Sequence, residues 1–331
     1  MLDLAIVGSG QRPRDAFDAS VALARRAEAL GYRRVWYAEH HNITSIASAA
    51  PAVLIAHVAA HTSTIRLGAG GVMLPNHSPL VIAEQFGTLA ELHPGRIDLG
   101  LGRAPGTDPV TWQALRRDPS APEWFPQDVV ELQGYLRGES LRPGVSAHPG
   151  AGTNVPLYIL GSSLFGAELA ADLGLPYAFA SHFAPSLLQH AVATYRAQFR
   201  PSTQLAEPYV IAGANAVAAD SDDDARQQLE RAVRTRVARF LARDRELLPD
   251  DIDRLVASPQ GQQVAGMMRY TVAGTAPQVG AQLVDFARHA DADEVMLVFA
   301  ATSLDDRLRA MELVAEGAST ATTKGNAPSG A

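Results

Sequence analysis

Short apolar runs and longer amphipathic stretches alternate along most of the chain. Runs rich in β-branched, aromatic and small apolar residues fall at 2–7, 34–38, 65–69, 96–101, 157–160, 177–180, 209–217 and 294–299. Between them, at 15–30, 49–61, 79–92, 166–173, 185–199, 220–246 and 277–290, apolar residues return every three to four positions, the period of a helix with one buried face. Strictly alternating strand and helix predicts parallel strands joined by right-handed crossovers. Eight such units predict an α/β fold of the (β/α)8 TIM barrel type in preference to an open doubly wound sheet.

Two stretches break the rhythm. Residues 108–154 carry many Pro and Gly residues around a modest helix at 127–136, which predicts an insertion after the fourth strand. Residues 247–274 are punctuated by Pro249, Pro259 and Gly261 and read as a mobile lid over the barrel mouth. A single domain over 1–316 is expected, followed at 317–331 by a small-residue segment around Lys324 that reads as a disordered tail.

Composition narrows the function classes. A hydrophobic content of 47% supports a large core, and a net charge of -7 with scattered Arg and Asp excludes the basic footprint of a nucleic-acid binder. No apolar run is long enough to span a bilayer and the N-terminus lacks a signal-peptide pattern, so a cytoplasmic protein without a membrane role is expected. With no cysteine, thiolate metal sites and disulfides are absent, and redox chemistry must come from a bound cofactor.

In a barrel the carboxyl ends of the strands open on the active-site face, so the residues there carry the candidate chemistry. The second strand runs into Glu39-His40-His41, with Glu39 and His41 sharing one direction and His40 the other. Gly70 and Gly71 interrupt the third strand, where they mark either a tight bend or a backbone approached by a flat ligand. The fourth strand ends in Gly100-Leu-Gly102-Arg103. Its spacing fails as a dinucleotide fingerprint because Pro105 stands where a third glycine is wanted. Arg103 reads instead as a fixed cation for a phosphate, or as a surface ion-pair residue. After the fifth strand, Ser162 and Ser163 open a helix that includes Gly166, a start that suits an anion, an N-cap role, or both. Ser181-His182 follows the sixth strand and reads as pocket lining, since no nucleophile elbow surrounds Ser181. His57 and His61, four apart, lack the acid and third ligand of a zinc motif, and no metal site is expected.

Taken together, Trp36 to Asn42, Gly68 to Pro75, Glu91 to Arg103 and Gly161 to Ser163 resemble the bacterial luciferase-like flavin monooxygenases, over about residues 2–314. The resemblance implies a barrel that binds reduced FMN, whose flavin peroxide with dioxygen oxygenates a small organic substrate. It implies that His40 is the catalytic histidine, and that the family's cis peptide behind the flavin ring falls on Gly70-Gly71. It further implies that Arg103 and Ser163, with Ser162 and Gly166 beside them, hold the phosphate. Glu39, His41, Ser181 and His182 are then expected to line the substrate pocket. Gly102 stands where luciferases carry a reactive cysteine, so no thiol tunes the chemistry here. Without a nicotinamide fingerprint, reduced FMN is expected from a separate flavin reductase. The resemblance also makes a homodimer the expected assembly. The rival readings are a deazaflavin-dependent hydride-transfer enzyme of the same fold and a flavin-binding protein without turnover.

Overall fold

The computed structural model describes all residues except 9, 105, 243–246 and 326–331. By its internal contacts the chain divides into two compact units, the first made of residues 1–28, 32–178 and 193–209, the second of 29–31, 179–192 and 210–331. The strands are β1 (Leu2–Asp3), β2 (Arg34–Tyr37), β3 (Arg66–Met73), β4 (Ile97–Gly102), β5 (Leu157–Gly161), β6 (Tyr177–Phe179), β7 (Val210–Ala218), β8 (Thr271–Gly274) and β9 (Glu294–Phe299).

In the first unit β1 to β5 lie side by side in chain order, every pair parallel, with Leu2 opposite Trp36, Tyr37 opposite Ala69, and Leu99 opposite Leu157. All four residues of β2 are buried. Parallel strands covered on both faces read as continuous apolar runs, which is why these segments are legible without alternation. The first strand is shorter than expected. Buried Asp3 turns its carboxylate onto the Ala5 amide at 3.0 Å and takes the Ser20 hydroxyl at 2.6 Å, and Ala5 adopts φ 48°. Helices Pro13–Ala29, Pro51–Ala59 and Pro79–Leu92 follow the first three strands, each beginning at a proline whose missing N–H costs nothing in a first turn. In the first of them Ala16, Ala19, Ser20, Leu23, Ala24 and Ala27 form the buried stripe.

Arginines at the starts of β2 and β3 converge on one buried acid. Asp98 of β4 accepts from Arg34 at 2.7 Å, from the Trp36 indole at 3.0 Å, and from Arg66 through Nε at 3.0 Å and Nη2 at 2.5 Å. The residues expected as an insertion hold helices Pro109–Ala114 and Phe125–Arg137, the second longer at both ends than the periodicity indicated.

In the second unit β7 lies between two parallel neighbours, β8 against its carboxyl half (Asn215 opposite Thr271) and β9 along Ile211 to Ala216. The strand β8 was not anticipated. The stretch read as interrupted is built from helices Pro249–Ala257 and Pro259–Gly266 leading into it, with each proline starting a helix and Ser258 capping the second by accepting from the Gly261 amide at 3.0 Å. The final helix, Leu304–Gly325, runs past the expected tail boundary because Gly317 packs against the backbones of Ala276 and Gly280. Residues 326–331 of the expected tail lie outside the described residues. Among the described residues no helix is long and apolar enough to cross a membrane.

Candidate active site

Two clusters form at the carboxyl ends of the first unit's strands. The first is centred on Glu39, which follows β2 and is fully buried. Its Oε1 meets Nε2 of His41 and Nε2 of His77, each at 2.8 Å, and its Oε2 accepts from the Met73 amide at 3.1 Å. Burial alone would raise the Glu39 pKa. The hydrogen bonds from the two imidazoles and the amide outweigh it and hold the carboxyl below its ordinary value. The ligand atoms of these three residues lie within 4.8 Å of one another, a spacing that would admit a cation, though both rings already point at the same oxygen.

His40 follows Glu39 just past the end of β2 and is half-buried. Burial lowers its pKa, opposed by the Gly106 carbonyl and the Glu39 carboxylate, so the neutral imidazole is the form favoured near neutrality. Residues 106–108 clasp this strand end: the His41 amide donates to the Gly106 carbonyl at 3.3 Å, and the Thr107 hydroxyl to the His41 carbonyl at 3.1 Å. Asp108 caps helix Pro109–Ala114 through the amides of Val110 and Thr111, both at 3.0 Å. An open depression lies beside the cluster, lined by His41, Asn42, Val110, Thr111, Ala114 and Leu115.

The second cluster joins β4 to the helix after β5. The Arg103 guanidinium lies over the ring of Phe165, 4.1 Å from its centroid. Phe165 is the second residue of helix Leu164–Leu173, whose N-cap is Ser163 with no side-chain capping bond. Arg103 and Ser163 are thereby brought to one place, with Gly166 buried on the same turn. Among the described residues Arg103 engages only its Nε, with the Pro122 carbonyl at 3.1 Å. Its two terminal nitrogens lie beside the start of helix Leu164–Leu173.

Between the clusters runs the glycine stretch of β3. The Gly70-Gly71 peptide is cis, and the register against β4 shifts between Ala69 and Val72. A Cβ on Gly71 would stand 2.8 Å from the Gly100 carbonyl oxygen, and one on Gly70 2.9 Å from the Trp36 Cβ. Close approach within the protein is therefore sufficient reason for both glycines. It leaves a stretch of bare backbone. At Gly102 a Cβ would meet the Met73 sulfur at 2.9 Å, so this methionine fills the space beside Gly102.

Ser181 and His182 belong to the second unit. Ser181 is fully buried and its hydroxyl donates to the Gly213 carbonyl at 2.6 Å, a structural bond that leaves it no open face. His182 packs its ring edge-on to Phe183. The rings of His57 and His61 lie tilted to one another at 4.7 Å, with His61 Nδ1 2.7 Å from the His57 carbonyl just past the end of helix Pro51–Ala59. His77 was not anticipated. It follows β3 after a single turn of 3-10 helix, Leu74–Asn76, and an ionisable side chain just past a strand end was the available signal.

A parallel-stranded α/β enzyme with ionisable groups at its strand ends is the class these features define. The luciferase-like monooxygenase family profile matches residues 3–294. A luciferase-like monooxygenase of Escherichia coli strain K12 is 47% identical over 317 residues, covering 95% of this chain and 94% of the relative. The solved structure of apo-MsnO8 superposes with a TM-score of 0.86 at 36% identity, covering 96% of this chain and 97% of that one. The FMN-bound oxygenating constituent of 3,6-diketocamphane monooxygenase from Pseudomonas putida shares the fold, with a TM-score of 0.72 at 17% identity and 97% of each chain covered. The chain belongs to the luciferase-like monooxygenases, with their TIM-barrel fold class and their oxidoreductase chemistry.

Proposed function

We propose that this enzyme binds reduced FMN and uses dioxygen to oxygenate a small organic substrate. The observation that carries the reading is the stacking of Arg103 on Phe165, which sets guanidinium nitrogens without a partner among the described residues beside a helix start. A phosphate monoester suits that pair, and the bare backbone of Gly70 and Gly71 suits a flat ring. Reduced FMN, when bound, supplies the electrons that activate dioxygen.

The protein's own groups do the rest. Arg103, Ser163 and the amides behind Ser162 and Gly166 hold the phosphate. His40, neutral near pH 7, accepts or returns one proton at a ring nitrogen. Glu39 fixes the orientation of His41 and His77 through Oε1, so that these rings can line the substrate side without rotating. We further propose that reduced FMN comes from a separate flavin reductase and that the chain works as a homodimer.

A Bacillus subtilis relative, 40% identical over 191 residues spanning 54% of this chain and 55% of its own, is an N-acetyl-S-alkylcysteine monooxygenase, which supports a small organic substrate here. An F420-dependent secondary alcohol dehydrogenase also shares the fold, with a TM-score of 0.65 at 17% identity, and keeps deazaflavin-dependent hydride transfer as the second reading. Anaerobic titration with reduced FMN and with reduced deazaflavin, followed by admission of air, separates them. Tight binding of FMN with enzyme-dependent oxygen uptake is expected. Selective binding of the deazaflavin, unreactive towards dioxygen, would overturn the proposal.

A further inference from the structure

Helix Asp222–Ala242 of the second unit carries its arginines in two conditions. Arg226 pairs with Asp223 at 2.7 Å and Arg234 pairs with Asp253, both as ordinary surface ion pairs. Arg236 and Arg239, one turn apart on the same face, are largely buried and have no carboxylate partner among the described residues.

Arg236 is held by neutral acceptors alone. Its Nη1 donates to the His182 carbonyl at 3.0 Å and its Nη2 to Asn215 Oδ1 at 3.3 Å. Asn215, fully buried in β7, donates its own Nδ2 to the same His182 carbonyl at 2.8 Å. Arg239 makes no hydrogen bond among the described residues, yet lies close enough to Arg236 for the two cations to repel. Burial draws Arg236 down to about 10 and lowers Arg239 as well.

Two desolvated guanidiniums side by side are unfavourable unless an anion meets them. The neighbouring histidine cannot serve. His182 Nδ1 is sealed and unpaired against Gly213, where even a Cβ would come within 2.5 Å, and burial beside Arg236 drives its pKa down to about 3. Buried Arg34 shows the contrast, since Asp98 answers it at 2.7 Å. Two exposed aromatics occur in the same segments: Phe183, packed on His182, is 40% exposed, and Phe240, the residue after Arg239 in the chain, is 50% exposed.

We propose that Arg236 and Arg239 bind the carboxylate of an organic acid with an apolar body. Two guanidinium forks match the two oxygens of a carboxylate, and the phenylalanines receive the remainder of the molecule.

The test uses the full chain without flavin, titrated calorimetrically with phenylacetate, with its uncharged amide, and with inorganic phosphate. Phenylacetate is expected to bind about tenfold or more tightly than phenylacetamide. Arg239→Met should remove that preference while Arg239→Lys retains part of it, both with thermal midpoints near wild type. No binding of phenylacetate at millimolar concentration, equal affinity for acid and amide, or equal affinity of wild type and Arg239→Met overturns the proposal. Phosphate that binds more tightly and displaces phenylacetate overturns the assignment to a carboxylate.

Discussion

Arg103 stacks on Phe165, and through that contact the end of β4 and the start of helix Leu164–Leu173 are brought together, where we propose that an anion binds. If the anion is the FMN phosphate, Arg103→Met should weaken FMN by about 2 kcal/mol, roughly thirtyfold in Kd. Phe165→Leu keeps the helix and loses only the cation-π contact, worth about 0.5–1 kcal/mol. Riboflavin, which has no phosphate, is the control. Its affinity should be unchanged by Arg103→Met in fluorescence titrations, and an equal loss for both ligands would mean that Arg103 acts on the fold instead.

Glu39 serves two imidazoles and an amide at once, so Glu39→Gln cannot be neutral. An amide side chain replaces one acceptor oxygen with a donor and sets N–H against N–H in a buried place, at a cost of about 1–3 kcal/mol. The pH dependence has a definite sign. Because the folded carboxyl is held below its ordinary value, its contribution is present above about 4.3, the unfolded value, and is lost as pH falls through the folded pKa. Urea midpoints of wild type and Glu39→Gln should differ at neutral pH and converge on acidification below about pH 4.

Much of this arrangement was legible in the sequence. Strands buried on both faces announce themselves as apolar runs, and Glu39, His40, His41 and Arg103 stand out because ionisable residues directly follow such runs. His77 was hidden because its partner Glu39 lies 38 positions earlier and only the parallel pairing of β2 with β3 brings them together. Phe165 carries no signal in the sequence, because its contact depends on a cation from another strand. Strand β8 was concealed by Pro249 and Pro259, which read as breaks although a proline in a first turn starts a helix. Arg236 and Arg239 sit in a stretch read only as an amphipathic helix, whose many charges give no sign of which arginines are buried.

Asp98→Asn should separate stability from chemistry. Asp98 neutralises Arg34 and Arg66 at the strand starts, away from the residues proposed to hold FMN. Removing one partner of a buried pair leaves an uncompensated guanidinium and costs about 3–5 kcal/mol. Urea unfolding should register that loss. FMN affinity of the protein that remains folded should stay at the wild-type value, and a parallel fall in affinity would tie this network to the site.

His40 gives the sharpest prediction about turnover. Burial disfavours its imidazolium, so the neutral ring persists as pH drops below about 6.5, the ordinary histidine value. If the reaction requires neutral His40, kcat/KM should stay level down to that pH and fall only at lower values. Displacement of the limb to higher pH would contradict the burial argument. His40→Ala should lower kcat by about 10²–10⁴, the usual worth of a positioned acid or base, and should abolish the acidic limb. FMN affinity should change little, because the groups assigned to the cofactor lie on β3, β4 and the helix after β5. A His40→Ala enzyme with wild-type turnover and an unaltered pH profile would remove this residue from the mechanism. In that case His41 and His77, already oriented by Glu39, become the groups to vary next.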